Sequence, residues 1–382
     1  MIKKIIFNPN NYFLLSKNFI NIPFYGRPKA YVIRLGDWIS MEAIILAGGF
    51  GTRLRPLTYT RAKSLLPIMN TPMITYLLDM LPTEVDTVIL AVNYRKNQIE
   101  SYLQSLNLDK KIIVNDEPEP LGTGGAVKFA EKHLSDQFFV LNSDIICSLD
   151  LTKMMKFHEK MDAMGTISLW PVDNVSEFGV ADVKDDGNIT GFVEKPKPEN
   201  APSNLINAGA YLLESKVLDY IETGKLVSME KEIFPQIIND THRFYGYQFE
   251  GHWMDIGRIT SYLKIHKFLL DKQNKKNYIG LKCDNQGTLE KSVLGKNVLI
   301  GKNTKIQNSI ILDHVTIEDH CQLDHCVIGE HAMVSSHNDL DYVVLGDNEV
   351  LSEQNNKENE IIWTQPIPEG YPKKQIGNVI EE

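Results

Sequence analysis

The chain has 382 residues, of which 43% are hydrophobic and 23% charged, and a net charge of −9. That length leaves room for two cored domains, the acidic balance argues against nucleic acid, which needs a basic face, and no uninterrupted apolar run reaches the roughly 20 residues that span a bilayer. Cys147, Cys283, Cys321 and Cys326 show no CxxC spacing, so the expectation is no disulfide framework and a reducing cytoplasm.

Residues 1–40 carry Lys3, Lys4, Lys17, Arg27, Lys29 and Arg34 against the single acid Asp37. Their apolar patch, Phe13-Leu14-Leu15, is too broken for a secretory leader, and the expectation is a disordered or non-native extension. From Met41 apolar runs alternate with helical patterns. Strands are expected at Glu42–Ala47, Thr87–Val92, Lys111–Val114 and Phe138–Leu141, with helices at Pro72–Met80, Lys96–Leu106 and Gly124–Lys132. This alternation predicts an α/β domain with a Rossmann-like, mostly parallel sheet over 41–271. Further strands follow at Thr166–Trp170, Gly179–Val183, Ile189–Val193, Ala208–Leu213 and Tyr245–Phe249, and the helix Thr260–Leu270 closes the domain. A polar linker is expected at 272–287. Beyond it Val298, Thr304 and Ile310 recur every six residues, as do Leu294, Ile300, Ile306 and Leu312. Such hexapeptide repeats predict a short left-handed parallel β-helix over 288–350. The polar, proline-containing residues 351–382 are expected to wrap around it or trail off. His314, His320, His325 and His331, with Cys321 and Cys326, lie five or six apart, which places neighbours on different faces of a coil and argues against a metal centre.

The first strand runs into Leu46-Ala47-Gly48-Gly49-Phe50-Gly51-Thr52-Arg53-Leu54-Arg55. Glycines let backbone N–H groups approach an anion, and the arginines add charge and forked donors. A polyphosphate cradle at the carboxyl end of a strand is the physical reading. The turn is not a P-loop, because no Gly-Lys-Ser/Thr closes it, and it lacks the third glycine of a dinucleotide fingerprint. Asp144 also stands at a strand's carboxyl end, in Asn142-Ser143-Asp144. A hard carboxylate there suits Mg2+, which takes one or two protein carboxylates plus phosphate oxygens.

The whole string from Gly48 to Thr58, with Lys63 beyond it, resembles the signature of the sugar-1-phosphate nucleotidyltransferases, and motifs in the family's order follow to about residue 350. The resemblance implies that Leu46, Gly48, Gly49, Gly51 and Thr52 bind nucleotide, and that Arg53 and Lys63 are catalytic, neutralising the triphosphate and the departing pyrophosphate. The family flanks this lysine with prolines; here Ala62 and Ser64 stand in their place. Glu117-Pro118-Glu119-Pro120-Leu121-Gly122-Thr123 resembles the base-recognition loop, with Glu117, Gly122 and Thr123 as nucleotide-binding residues. It lacks the glutamine usual in members that use uracil or thymine, and its form leans to guanine. Asp144 and Asp255 match the two Mg2+ positions, and Gly179, Glu194, Lys195 and Asn207 the sugar-phosphate side. GTP and mannose 1-phosphate are the favoured partners. Heptose 1-phosphate with GTP and glucose 1-phosphate with UTP or dTTP stay open, as do a silent regulatory subunit and a hexapeptide acyltransferase. The shortness of the coil array points to oligomer contacts or regulation, and a homo-oligomer joined through the C-terminal coil is expected.

Overall fold

The structure, a computed structural model, describes residues 41–372, so the expectation for residues 1–40 lies outside the described residues. The strand Met41–Leu46 is buried along almost its whole length, as a strand covered on both faces must be. It pairs in parallel with Val85–Val92 on one side and Gln137–Asn142 on the other. Among the described residues the sheet has nine strands, with Lys111–Asp116 at one edge. Leu205–Glu214 joins antiparallel to Gln137–Asn142 and carries Gly165–Pro171 and Gly179–Val183 beyond. The parallel half is as expected and the far half is mixed.

Side chains alternate across this sheet with the period of two that a strand imposes. Ile44, Phe138 and Val140 face one core, which the helix Phe234–Thr241 fills with Phe234, Ile237 and Ile238. Ala43, Ile45, Phe139 and Leu141 face the other, covered by Met73–Met80 and Lys96–Ser105. From Met41–Leu46 the chain runs outward through Val85–Val92 and Lys111–Asp116, then returns to the opposite side at Gln137–Asn142. The carboxyl ends of these adjacent strands therefore flank a topological switch point, where open α/β sheets bind ligands.

The C-terminal domain is a stack of short parallel strands. Val293, Ile310, Val327, Val344 and Ile361 lie in one register column. The coil begins before 288: Tyr278–Ile279 pairs with Val293–Leu294, and Asp284–Asn285 with Leu299–Ile300, inside the stretch expected as linker. It also runs past 350, because Asn356–Ile362 pairs along Asp339–Leu345. Strands of two or three residues give no apolar run, and Lys357, Glu358 and Glu360 give the last one a polar texture. The histidines are corner residues. His314, His320, His325 and His331 all have positive φ, a region in which Asn and His are enriched. His314 stacks on His331 and His320 on His337, one coil apart. His314, Glu330 and His331 do come within metal-ligand reach of one another, but Glu330 is already engaged by Arg61.

The domains share a core in which Leu54, Leu57, Ile68 and the helix residues Ile259, Tyr262 and Ile265 pack with Val293, Ile310, Val327 and Val344. This contact brings the coil against the glycine-rich turn.

Candidate active site

The cradle is fixed by backbone geometry. Gly51 has φ 63, and a Cβ there would lie 2.9 Å from Thr58 Cγ2 and 3.1 Å from Lys63 Cβ, so no other residue fits without strain. The Thr58 hydroxyl donates to the Gly51 carbonyl at 2.9 Å. Gly49, Thr52 and Arg53 are exposed beyond the strand end, and Gly48 lies against Asn93. The Leu46 carbonyl accepts the Ser143 N–H at 3.3 Å, which ties the first strand's end to the Asn142-Ser143-Asp144 turn.

Beside the cradle the structure gathers Lys63, Asp144, Asp255 and Arg53. Lys63 Nζ is 2.5 Å from Asp144 Oδ2. Ile145–Cys147 pairs antiparallel with Trp253–Asp255, and this two-stranded ribbon sets Asp255 next to Asp144. Burial, and then the Asp144 charge, push the Asp255 carboxyl up to about 6, against the pull of Lys63 and Arg53. Asp255 Oδ1 is buried without a hydrogen-bond partner. Two adjacent carboxylates with an orphaned oxygen, next to the glycine-rich turn, are a donor set that fits a hard divalent cation such as Mg2+. Arg53 Nη1 lies 3.5 Å from Glu177 Oε2, and Arg258 Nη2 donates to Glu177 Oε1 at 2.6 Å. Sequence reasoning missed Glu177 and Arg258; the available signal was that Arg258 directly follows the Asp255-Ile256-Gly257 string.

The residues expected on the base and sugar sides form a second network. Glu117 is buried, its Oε2 accepting the Leu121 N–H at 3.3 Å, and burial raises its carboxyl. It thus shapes the loop from within, while Gly122 sits exposed at φ 73. Thr123 Oγ1 donates to Glu230 Oε2 at 2.7 Å, and the Tyr211 hydroxyl to Glu230 Oε1 at 3.2 Å. Asn207 Nδ2 in turn donates to the Tyr211 oxygen at 2.9 Å. Gly179 and Glu194 are register partners, and a Cβ on Gly179 would lie 2.8 Å from Glu194 Oε2. Burial, then Glu230, raises the Glu194 carboxyl. So Thr123, Asn207, Gly179 and Glu194 converge through Tyr211 and Glu230, whereas Lys195 points outward, 3.9 Å from Glu194 and 60% exposed. Nothing local in the sequence announces the linking role of the Glu230 carboxylate, because its partners Thr123 and Tyr211 come from elements far away in the chain.

A glycine-rich turn at the switch point, with paired carboxylates beside it and a separate polar cluster around Glu230, is the arrangement expected of a nucleotide-transferring enzyme. Residues 42–272 match the Nucleotidyl transferase family model and residues 282–377 the GMPPB C-terminal domain model, and the chain belongs to the nucleotidyl transferase family. It is 38% identical to mannose-1-phosphate guanylyltransferase 1 of Arabidopsis thaliana over 72% of this chain and 78% of that protein. It is 40% identical to the mannose-1-phosphate guanyltransferase of Candida albicans over 70% and 73%. Among solved structures, HddC from Yersinia pseudotuberculosis, also solved complexed with GMP-PN, aligns at TM-score 0.50 and 31% identity over 59% of this chain and 99% of that one.

Proposed function

We propose that the protein is a mannose-1-phosphate guanylyltransferase, joining GTP and mannose 1-phosphate into GDP-mannose with release of pyrophosphate. A phosphate oxygen of the sugar phosphate attacks the α-phosphorus of GTP. The bond from that phosphorus to the bridging oxygen of the β-phosphate breaks, and its electron pair leaves with pyrophosphate. The nucleophile is already an anion, so positioning and charge neutralisation are the protein's main task. The observation that carries the reading is the cluster of Lys63, Asp144, Asp255 and Arg53 around the Gly51 turn. Arg53 and Lys63 hold the triphosphate and its leaving group. Asp144 and Asp255 would hold Mg2+, which would supply charge neutralisation at the phosphates. Leu46, Gly48, Gly49, Gly51 and Thr52 line the nucleotide's phosphates, and Glu117, Gly122 and Thr123 form the base side. Gly179, Glu194 and Asn207 receive the sugar hydroxyls, and Lys195 the sugar phosphate.

The test is pyrophosphate release with Mg2+, crossing GTP, UTP, dTTP, ATP and CTP with mannose, glucose and heptose 1-phosphates. Release with GTP and mannose 1-phosphate alone is expected. Another productive pair would keep the chemistry and overturn the substrate assignment; no release with any pair would overturn the function.

A cytoplasmic setting is supported by four unpaired cysteines, and among the described residues no helix is long and apolar enough to cross a membrane. A second copy of the chain is the proposed partner of the coil's outer face. There Leu299, Thr316, Met333 and Val350 stand in one register column, with Leu299 and Val350 exposed. Sedimentation that stays monomeric at all concentrations would exclude this.

A further inference from the structure

Lys63 lacks the prolines that stiffen its counterpart in the family pattern, yet its segment is held firmly. Gln98 grips it from the helix Lys96–Ser105, donating from Nε2 to the Thr60 carbonyl at 2.8 Å and accepting the Ala62 N–H at 3.0 Å. The opposite grip comes from the C-terminal coil. Asp347 Oδ2 accepts from Arg61 Nη2 at 2.7 Å and from the Thr60 hydroxyl, and Glu330 Oε2 accepts from the same Arg61 nitrogen at 2.7 Å. The Asp347 side chain is 4% exposed and that of Arg61 15%, so water scarcely competes for the pair.

The coil has aspartates elsewhere that isolate what is special about Asp347. Asp313 Oδ1 accepts the Lys296 N–H at 2.8 Å, and Asp319 Oδ1 accepts the Lys302 N–H at 2.7 Å. Asp347 Oδ1 makes the same bond to the Glu330 N–H at 2.7 Å. All three thus cap the preceding coil, each reaching a residue 17 positions back. The other oxygen of Asp347 reaches into the nucleotidyltransferase domain, two residues before Lys63. We propose that Asp347 is a positioning residue for Lys63, acting through Arg61 and Thr60, so that the C-terminal β-helix is part of the catalytic apparatus. This rests on the role proposed above for Lys63.

Asp347→Asn separates the two oxygens. The amide oxygen can still accept the Glu330 N–H, while the amide NH2 in the other position cannot accept from Arg61 or Thr60. Asp313→Asn is the control, since it alters the same cap without an interdomain bond. Asp347→Asn is expected to lower kcat on the order of tenfold to a hundredfold, the size of effect a small misplacement of a positioned group has. KM should change little, and Asp313→Asn should leave both near wild type. Rescue gives the decisive readout. Ala62 has φ −63, the angle proline fixes, and Arg61 before it is extended, as a residue preceding proline must be. Ala62→Pro in the Asp347→Asn background should restore most of the lost kcat, at the expense of the Ala62 N–H bond to Gln98.

Labelling of Lys63 by an amine-reactive ester, read by mass spectrometry, should quicken in Asp347→Asn and needs no turnover. Unchanged kcat with unchanged labelling, an equal loss in Asp313→Asn, or a loss that Ala62→Pro leaves untouched would each overturn the proposal. Quicker labelling together with a fully active Lys63→Ala variant would instead keep the positioning and overturn the role of Lys63. If Asp347→Asn does not fold, Thr60→Val, which removes one link and leaves the coil intact, should give a smaller fall in kcat, and no fall would refute the proposal.

Discussion

Lys63→Ala is the perturbation that tests the active site most directly. The Lys63 side chain is 12% exposed and its ammonium lies 2.5 Å from a carboxylate oxygen of Asp144, so it acts where water is scarce. Removing it leaves Asp144 facing Asp255, whose carboxyl is already pushed up to about 6 by burial and by that same neighbour. Asp144 is 29% exposed and can rehydrate, which keeps the cost to folding at about 1–2 kcal/mol, below that of breaking a fully buried pair. The cost to the reaction is larger, because charge on the departing pyrophosphate develops in the transition state. Loss of one preorganised donor to such a charge slows turnover about 10²–10³-fold, or about 3–4 kcal/mol. Steady-state pyrophosphate release at saturating substrates measures it, with circular dichroism to show that the fold is retained. Because the interaction strengthens in the transition state, kcat should fall more than KM rises. Lys63→Arg should recover only part of the loss, since a guanidinium fork replaces a compact point charge. A fall of less than about threefold in the alanine variant would refute the argument, because so small an effect is below that of any preorganised charge contact.

Asp144→Asn should abolish Mg2+-dependent turnover with the thermal midpoint unchanged within a few degrees, and full activity would remove Asp144 from the metal set. Glu230→Gln replaces one acceptor oxygen by a donor where Thr123, Ser228 and Tyr211 all donate. With Tyr211 wholly buried, the mismatch should destabilise by about 1–3 kcal/mol and raise the KM of the sugar phosphate; denaturant titration and steady-state kinetics read the two effects. Burial holds His158, with a smaller push from Arg243, and His266 at about 4, below the ordinary 6.5. The unfolded chain therefore binds protons that the folded one refuses. The histidines' contribution is full above about pH 6.5 and is lost as the pH drops toward about 4, by about 3 kcal/mol for each. Asp255, pushed up to about 6, works in the opposite direction over the same window, so the check is site-specific: an NMR titration in which the His158 or His266 ring of the folded protein protonates near 6.5 would refute the assignment.

What was legible in the sequence was what backbone geometry dictates locally. Gly51 needs positive φ, so the turn announces itself, and Asp144 is located by the buried strand ahead of it. The partners that complete these residues are not local. Glu177 meets Arg53 and Arg258 only after the strand Gly179–Val183 joins the sheet, and no periodicity encodes that meeting. The coil extends past both expected ends, and the reason is related. Its repeat is carried by two-residue strands and αL corners, so Tyr278 reads as linker and Asn356–Ile362 as polar tail.

That polar tail matters for the cradle. Beyond Ile362 the chain returns to the nucleotidyltransferase domain, and the Tyr371 hydroxyl donates to the Phe50 carbonyl at 2.9 Å, inside the glycine-rich turn. Its ring lies 4.6 Å from the Arg55 guanidinium and packs edge-on to Phe50, Tyr59 and Tyr94. A glycine-rich turn is the segment least able to hold its own shape, since glycine gives up the most conformational freedom on folding. Here that freedom is restrained from outside, by a residue of the C-terminal domain about 320 positions further on. The turn and the Lys63 segment are the two elements proposed to face the phosphates, and each is also held by a different part of that domain. The nucleotidyltransferase domain alone contains every residue assigned to the chemistry but only part of the contacts that place them, the rest coming from Asp347, Glu330 and Tyr371, so the coil is counted with the proposed active site.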